Sequence, residues 1–356
     1  MTSFYTVLMS RANLIYLTVI TGLGLTGCIQ NNGSCPQAPN RAKGFSLSPR
    51  GFPDSYDRLE DFFVEIQNFN DSGVLWSGAW RDDAQNGGDA GQIPEAANLL
   101  QTRSRTYCFV PSVVFGWRSG AELHIKIPSN SDNTWLNLEA RNAFLEMLTS
   151  YVSLHRPPYV FLGNENDFYY EQSLLDYANW LNFYNSAYDT IKLNSPETKV
   201  GPVFNFEHLA GSGQLNGWVT AYWEALLNHD SSRIDVIGLT LYPFFHIQRP
   251  TDIPNDYLDP LWSRISKPVA ILETGWPAQR KEDFNPLWEV SEQYQVDYLE
   301  KLEVLLANKD VPIMNWLFLY EMESTIQSDE TNIFGSISLR TSENTPRLVW
   351  PYWLEL

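Results

Sequence analysis

Apolar and polar residues follow one another along this chain in two periodicities that predict alternating strands and helices. Short apolar runs such as Tyr107–Trp117 and Pro268–Leu272 have the length and residue types of buried strands. Longer segments repeat apolar residues every three or four positions, as in Leu136–Leu154, and predict helices with one buried face. The pattern therefore predicts an α/β protein in which helices connect buried strands.

Eight strands are predicted, each separated from the next by a helical segment. The strands are expected at 44–48, 73–80, 107–117, 159–165, 200–206, 234–243, 268–273 and 311–320. The helices between them are expected at 56–69, 94–102, 136–154, 174–191, 218–227, 257–265 and 287–305. This count favours a single (β/α)8 TIM barrel over residues 42–356. A doubly wound open sheet is the alternative, but no glycine-rich phosphate loop follows the first strand.

The N-terminal residues predict an export signal rather than part of the fold. Arg11 precedes a short apolar stretch, Asn13–Leu25, which runs into Leu25-Thr26-Gly27-Cys28. This segment resembles the cleavage box of bacterial lipoproteins, in which the cysteine becomes the lipidated first residue. We expect a signal peptide over 1–27, a lipid anchor on Cys28 and a linker over 28–41. The alternative is an uncleaved anchor helix; with either, an exported lipoprotein-like body would face the periplasm or the cell surface.

Two further cysteines bear on the same question of compartment. In an oxidising compartment Cys35 and Cys108 could pair and tie the N-terminal arm to the body. Cys108 also begins an apolar run, where a buried free thiol is an equally good interpretation. The sequence leaves both possibilities open.

Composition narrows the class of ligand. The formal charge of -18 disfavours nucleic acid and anionic polymers as partners, because like charges repel. Aromatic residues make up 14% of the chain, and flat rings with polar edges suit the faces of sugars. A neutral glycan is therefore the favoured partner, with no protein partner predicted.

Two acidic residues stand where predicted strands end. Glu165 closes the fourth strand in Gly163-Asn164-Glu165, and Glu273 closes the seventh in Ile271-Leu272-Glu273-Thr274-Gly275-Trp276-Pro277. The active sites of TIM barrels lie at the carboxyl ends of the strands, so both acids should face one mouth. Paired carboxylates suit glycoside hydrolysis, in which one donates a proton and the other attacks the anomeric carbon. We expect their mutual repulsion to raise the pKa of one of them.

These motifs resemble those of the large clan of retaining (β/α)8 glycoside hydrolases. Glu273-Thr274-Gly275-Trp276-Pro277, with Leu241-Tyr242-Pro243-Phe244-Phe245, is most similar to the family 17 β-1,3-glucanases. The run 237–243 is also similar to the family 53 β-1,4-galactanases. The resemblance implies that Glu165 is the general acid/base and Glu273 the nucleophile. It also implies that Asn164 bonds the sugar 2-hydroxyl and that the Tyr242 phenol holds the nucleophile ionised.

Strand-end aromatic residues are candidates for sugar platforms. Trp276 follows the predicted nucleophile, Trp80 and Trp117 end the second and third strands, and Trp316 lies on the eighth. Arg81 and Arg118, next to two of these rings, could support a carboxylate or could be solvated loop charges. His208 and His246 are interpreted as polar loop residues.

The chain has no early His-x-His pair, no metal-ligand spacing, no Gly-x-Ser-x-Gly elbow and no cofactor motif, so neither metal nor cofactor is expected.

Taken together, the motifs and the composition predict a retaining glycoside hydrolase acting on β-linked neutral polysaccharide or oligosaccharide, of β-glucan or β-galactan type. A transglycosidase using the same site, and a non-catalytic carbohydrate-binding lipoprotein, are the alternatives.

Overall fold

The computed structural model describes residue 35 and residues 39–80, 91–119, 121–280, 285–324 and 329–356. The predicted signal peptide, Cys28, most of the linker and Arg81 lie outside these residues. No helix in the described part of the chain combines the length and apolar character needed to span a membrane.

Eight parallel strands close into a barrel in chain order, so the predicted (β/α)8 architecture is confirmed and the open sheet is excluded. The barrel strands are β1 Ala42–Ser46, β2 Ser72–Ala79, β3 Val110–Gly116, β4 Tyr159–Leu162, β5 Lys199–Asn205, β6 Ile237–Leu241, β7 Val269–Thr274 and β8 Ile313–Trp316.

Helices of uneven length surround the barrel. They are α1 Leu59–Ile66, α2 Glu95–Tyr107, α3 Leu138–His155, α4 Asn166–Gln172, α5 Leu174–Asn194, α6 Phe206–Ala210, α7 Trp223–Leu227, α8 Asp259–Trp262, α9 Glu292–Leu306, α10 Asp329–Phe334 and α11 Trp350–Glu355. Short 3-10 turns lie at Gln214–Asn216, Ser231–Arg233, Pro243–Phe245 and Pro250–Asp252.

The core has two layers, because successive side chains of a strand point to opposite faces. One face of the strands fills the barrel interior, and the other packs against the helices. The interior cluster consists of Leu75, Val114, Phe161, Val203, Val236, Ala270, Leu272 and Ile313. Neighbouring strands approach closely in places: a Cβ atom on Gly201 would lie 1.6 Å from the Val236 carbonyl oxygen. Because side chains fill the barrel interior, a substrate can bind only at the ends of the strands.

Several local predictions are wrong, and three of them are instructive. The predicted eighth strand is broken after Trp316; its continuation, Phe318–Tyr320, pairs instead with Ser338–Arg340 outside the barrel. The apolar periodicity predicts buried helix positions for Leu174 and Leu287, but these side chains are 58% and 60% exposed. Leu174 is the first residue of α5 and Leu287 precedes α9, so neither reaches the layer that covers the barrel.

The structure decides between the two interpretations of the cysteines. Cys35 and Cys108 form a disulfide with their Cα atoms 5.2 Å apart. Cys108 is the left-handed residue that ends α2. The bond therefore attaches the segment before β1 to the body of the barrel.

Candidate active site

A tight turn after β4 carries Glu165 to the carboxyl end of the barrel. Gly163 has φ +75°, and a Cβ atom there would lie 2.2 Å from Asn166 Oδ1, so the turn requires glycine. Glu165 itself adopts a left-handed φ of 46° immediately before α4. Its side chain is 2% exposed.

Two neighbouring strands supply donors to one oxygen of Glu165. Thr240 Oγ1 on β6 donates to Glu165 Oε1 at 2.8 Å, and Asn205 Nδ2, at the end of β5, donates to the same atom at 3.2 Å. Asn205 and Thr240 are partners in the barrel register, and Asn205 Nδ2 also lies 3.1 Å from Thr240 Oγ1. The carboxyl group is thus fixed in direction by the sheet itself.

Arg118 supports the backbone of the same turn. Its Nη2 donates to the carbonyl oxygens of Asn164 and Glu165 at 3.4 and 3.2 Å, and its guanidinium lies 5.4 Å from the centre of the Phe168 ring. Burial lowers the pKa of Arg118. The interpretation of Arg118 as a solvated loop charge is wrong, because the side chain is buried. Its guanidinium supports the Glu165 turn in part through backbone carbonyl oxygens.

Burial and a neighbouring carboxylate set the acidity of Glu165. Its pKa is raised, first by burial and then by the negative charge of Asp167. Arg118 and the hydrogen bonds from Thr240 and Asn205 oppose that rise. The expected cause, repulsion between Glu165 and Glu273, is therefore not the leading one.

A β-bulge aims Glu273 into the mouth. Leu239 pairs with Ile271 but Thr240 pairs with Glu273, so β7 contains one extra residue at this point. The bulge reverses the alternation of side chains and places Glu273 on the same side as Thr240. Tyr242 Oη donates to Glu273 Oε2 at 3.0 Å. Burial raises the pKa of Glu273 to about 8.

A buried acid that the sequence analysis missed holds Tyr242 in place. Glu207 Oε2 accepts the backbone N–H of Tyr242 at 2.9 Å, and Oε1 accepts the Tyr257 hydroxyl at 3.0 Å. Burial raises the pKa of Glu207 to about 8. The tyrosine that contacts Glu273 is thus anchored through its own backbone.

Asn164 has one hydrogen-bonding atom left over. Its side chain is 4% exposed, and Oδ1 finds no hydrogen-bond partner among the described residues. Buried polar atoms are usually satisfied, so an open acceptor beside Glu165 is a natural contact for a ligand hydroxyl.

The predicted platforms Trp80 and Trp117 are corrected by their surroundings. Trp80 stacks on Phe144 of α3 with ring centres 4.7 Å apart, on the helix side of the barrel. Trp117 is enclosed by the rings of Trp135, Tyr169 and Trp180. Both indoles belong to the layer between strands and helices.

Trp276 and Trp316 are corrected in the same way. Trp276 Nε1 donates to the carbonyl oxygen of Glu289 at 2.8 Å, and its ring lies 5.8 Å from that of Tyr298 on α9. Trp316 lies between Tyr298 and Trp353, at 6.0 and 6.1 Å. These rings join the barrel to α9 and α11 and present no open face for a sugar.

Several site residues were missed because their partners are distant in sequence. They are Asp167, Asn205, Glu207 and Thr240. His208, predicted to be a satisfied polar loop residue, is hydrogen-bonded as expected, with Nδ1 2.7 Å from Asp167 Oδ2, but it is buried and lies in α6. The available signal was position: Asn205 ends strand five, Glu207 and His208 follow it, and Thr240 precedes Tyr242 by two residues.

Comparison with known proteins gives one family and a set of similar folds. The sequence model of glycosyl hydrolase family 53 matches residues 153–309, which include Glu165, Tyr242 and Glu273. No curated protein matches the chain significantly.

Among solved structures, an exo-β-1,4-mannosidase from Opitutaceae bacterium strain TAV5 is similar with a TM-score of 0.61 and 16% identity, covering 88% of this chain and 58% of that one. A β-glucuronidase from an uncultured Clostridium has a TM-score of 0.57 and 13% identity, with 90% and 53% covered. β-Glucuronidase 2 of Bacteroides uniformis has a TM-score of 0.56 and 14% identity, with 88% and 34% covered. The chain thus spans about a third to three fifths of the length of these three proteins. The resemblance expected from the motifs, to the (β/α)8 glycoside hydrolases with family 53 among them, is confirmed.

Proposed function

We propose that this protein is a retaining glycoside hydrolase in which Glu165 is the acid/base and Glu273 the nucleophile. The observation that carries the proposal is the arrangement around β6. Thr240 on this strand bonds Glu165, and Tyr242, just beyond its end, bonds Glu273. The two carboxyl groups are therefore held in one site by side chains two residues apart. The family 53 match over both motifs supports the same chemistry.

In the first step, protonated Glu165 gives its proton to the glycosidic oxygen while ionised Glu273 attacks the anomeric carbon. The bond to the leaving sugar breaks, and an ester between Glu273 and the remaining sugar forms. In the second step, Glu165 takes a proton from water as the water oxygen attacks the same carbon. Glu273 is released, and the product keeps the β configuration. An acceptor sugar in place of water would make the reaction a transglycosylation.

The contacts of the site match the needs of these steps. Burial raises the pKa of Glu273 to about 8 and so disfavours the ionised form that attack requires. The hydrogen bond that the Tyr242 hydroxyl donates to Glu273 Oε2 acts in the opposite direction. The raised pKa of Glu165 keeps its proton available for the leaving group. The open Oδ1 of Asn164 is placed to accept a hydrogen bond from the 2-hydroxyl of the sugar.

Charge favours a neutral β-linked glycan of the β-glucan or β-galactan type as the substrate. Two of the similar structures are β-glucuronidases by name, and glucuronides are anionic. This chain carries a formal charge of -18, and its buried cation Arg118 contacts the backbone of the Glu165 turn. A neutral sugar avoids the repulsion that an acidic one would meet.

Export as a lipoprotein anchored through Cys28, after a signal peptide over 1–27, is part of the proposal. The Cys35–Cys108 disulfide supports it, because such bonds persist in oxidising compartments. Growth with labelled fatty acid should label the full-length protein and leave Cys28→Ala unlabelled. Equal labelling of the two, or none, would contradict the anchor.

A polysaccharide panel tests the activity. A soluble form beginning after Cys28 is incubated with β-1,3-glucan, β-1,4-galactan, mannan, xylan and mixed-linkage glucan, and reducing ends are measured. We expect release from at least one neutral glycan, lost in Glu165→Ala and Glu273→Ala. Binding to a glycan without any release would instead support the non-catalytic alternative.

A further inference from the structure

A row of charged side chains that the proposed mechanism does not use leads from Glu165 to the surface. Asp167 and His208 are buried, and the side chain of Glu171 beyond them is 50% exposed. We propose that Asp167 is a positioning residue for Glu165 and that, with His208 and Glu171, it sets the protonation of this acid/base. The inference rests on the proposed function for the role of Glu165.

Asp167 acts on Glu165 through Asn205. Asp167 Oδ1 accepts the backbone N–H of Asn205 at 2.9 Å. The side chain of Asn205 then donates from Nδ2 to Glu165 Oε1 at 3.2 Å, while its Oδ1 accepts the backbone N–H of His208 at 3.0 Å. Both ends of the Asn205 amide are thus engaged, so the amide has one orientation. That orientation presents a donor to the acid/base.

His208 joins two carboxylates. Its Nδ1 lies 2.7 Å from Asp167 Oδ2, and its Nε2 lies 3.2 Å from Glu171 Oε2. The ring therefore bridges a buried and a half-exposed carboxyl group. Phe168 stacks on the ring at 3.8 Å between centres and Tyr222 at 4.8 Å. This enclosure holds the imidazole ring of His208 beside Asp167.

Several groups face Glu165, and among them Asp167 has the largest electrostatic effect that raises the pKa of Glu165. Arg118 follows β3, Asp167 comes from α4 and Glu207 from α6, and Tyr242 follows β6 and also contacts Glu273. Asp167 is the neighbouring charge that most raises the pKa of Glu165, and Arg118 opposes it. Burial raises the pKa of Glu207 to about 8. Asp167 therefore acts to keep Glu165 protonated.

The first test is Asp167→Asn. The substituted side chain retains an oxygen for the Asn205 N–H and gains an N–H that can donate to a neutral His208 ring, so the packing is preserved. Without the negative charge, the pKa of Glu165 should fall, and the alkaline limb of kcat/KM should move down by about one pH unit. An alkaline limb that stays in place would overturn the proposal.

A second variant has the opposite predicted sign. His208→Gln retains a donor toward Asp167 but cannot carry a positive charge beside it, so the alkaline limb should move up. The matched control is Asp176→Asn, which changes a buried acid that accepts the backbone N–H of Trp135 and a hydrogen bond from Asn179. The control should leave the alkaline limb in place even if it lowers stability. If the Asp167 and His208 variants shift the limb no more than the control does, the proposed role of Asp167 is contradicted.

A measurement without substrate separates this inference from the proposed function. With ¹³C-labelled glutamate, the carboxyl resonance of Glu165 is assigned by its loss in Glu165→Gln and titrated by NMR. Its midpoint should fall in Asp167→Asn and rise in His208→Gln. If the protein cleaves no glycan yet the midpoint moves as expected, the role proposed for Asp167 stands and the proposed function fails. If the protein cleaves a glycan but the midpoint does not move, the proposed function stands and the role proposed for Asp167 fails.

Discussion

The two buried carboxyl groups of the site differ in the groups that surround them. Glu165 lies among polar groups from three parts of the barrel, with donors from Asn205 and Thr240 and the charges of Arg118 and Asp167 nearby. Glu273 receives a hydrogen bond from Tyr242, and burial is the cause of its raised pKa. Burial is the leading cause of both raised pKa values, but the pKa of Glu165 also responds to the charges of Asp167 and Arg118 and to two hydrogen bonds. Substitutions should therefore affect the two sides differently.

The largest effect should come from deleting either acid. Glu165→Ala and Glu273→Gly should each lose about 10⁴-fold or more in kcat on a good substrate, because each removes a partner in bond making. Azide separates the roles when an activated aryl β-glycoside is used. With Glu165→Ala, azide attacks the glycosyl-enzyme and gives the β-azide. With Glu273→Gly, it attacks the substrate from the opposite face and gives the α-azide.

The azide products decide the comparison directly. The configuration of each isolated glycosyl azide is determined by NMR. The same azide configuration from both variants would contradict the division of roles between the two carboxyl groups.

Removing the donor on the nucleophile side should have the next largest effect. Tyr242→Phe loses the hydrogen bond to Glu273, so kcat/KM should fall by about 10- to 100-fold. A lost donor raises the pKa of Glu273 further, so the acid limb of the profile should move to higher pH. The control is Tyr184→Phe, a buried tyrosine that donates to the Arg233 carbonyl at 2.8 Å. An acid limb that does not move would show that Tyr242 is not what holds Glu273 ionised.

Burial of Glu273 should also be visible in stability. Its folded pKa of about 8 lies above the ordinary 4.5, so the stability that its protonated form contributes is fully present below pH 4.5 and is lost as the pH rises through 8. Glu273→Gln stays neutral, so its melting temperature should gain on wild type by about 2 °C or more between pH 5 and pH 9. Thermal unfolding at both pH values measures this, with the exposed Glu224→Gln as control. A constant difference between wild type and Glu273→Gln would contradict the raised pKa.

The smallest effect is expected on the acid/base side, because its network has more than one donor. Thr240→Val removes the hydroxyl that donates to Glu165 but leaves Asn205 in place. The pKa of Glu165 should rise, moving the alkaline limb of kcat/KM upward by less than about one pH unit. Thr198→Val, which removes a buried hydroxyl bonded to the Pro157 carbonyl, is the control. A larger shift than that of Asp167→Asn would place the main control of Glu165 in Thr240 instead.

The barrel and its strand ends could be predicted because they depend on local pattern. Strands buried on both faces give continuous apolar runs, and the residue that ends such a run marks the mouth, as Glu165 and Glu273 do. The same pattern placed Tyr242 at the end of a strand, whereas its contact with Glu273 was implied by the resemblance to the glycoside hydrolases.

The rest depended on contacts between residues far apart in sequence. Asp167 meets Asn205 and His208 only after the chain has passed through a whole helix, α5, and a strand. The bulge before Glu273 leaves no mark in the apolar run that contains it. Trp80 stands at the end of a strand and Trp316 lies on one, but the sequence does not show which face of the sheet each side chain takes. Both side chains point toward the surrounding helices.

The anomeric configuration of the first sugar released tests the central claim most directly. With the glycan identified by the panel, ¹H NMR recorded during early turnover distinguishes the two anomers before they equilibrate. A pair of carboxyl groups working through a Glu273 ester predicts that the β anomer appears first. If the α anomer appears first, Glu273 is not the nucleophile of a retaining reaction, and the roles assigned to the two carboxyl groups are wrong.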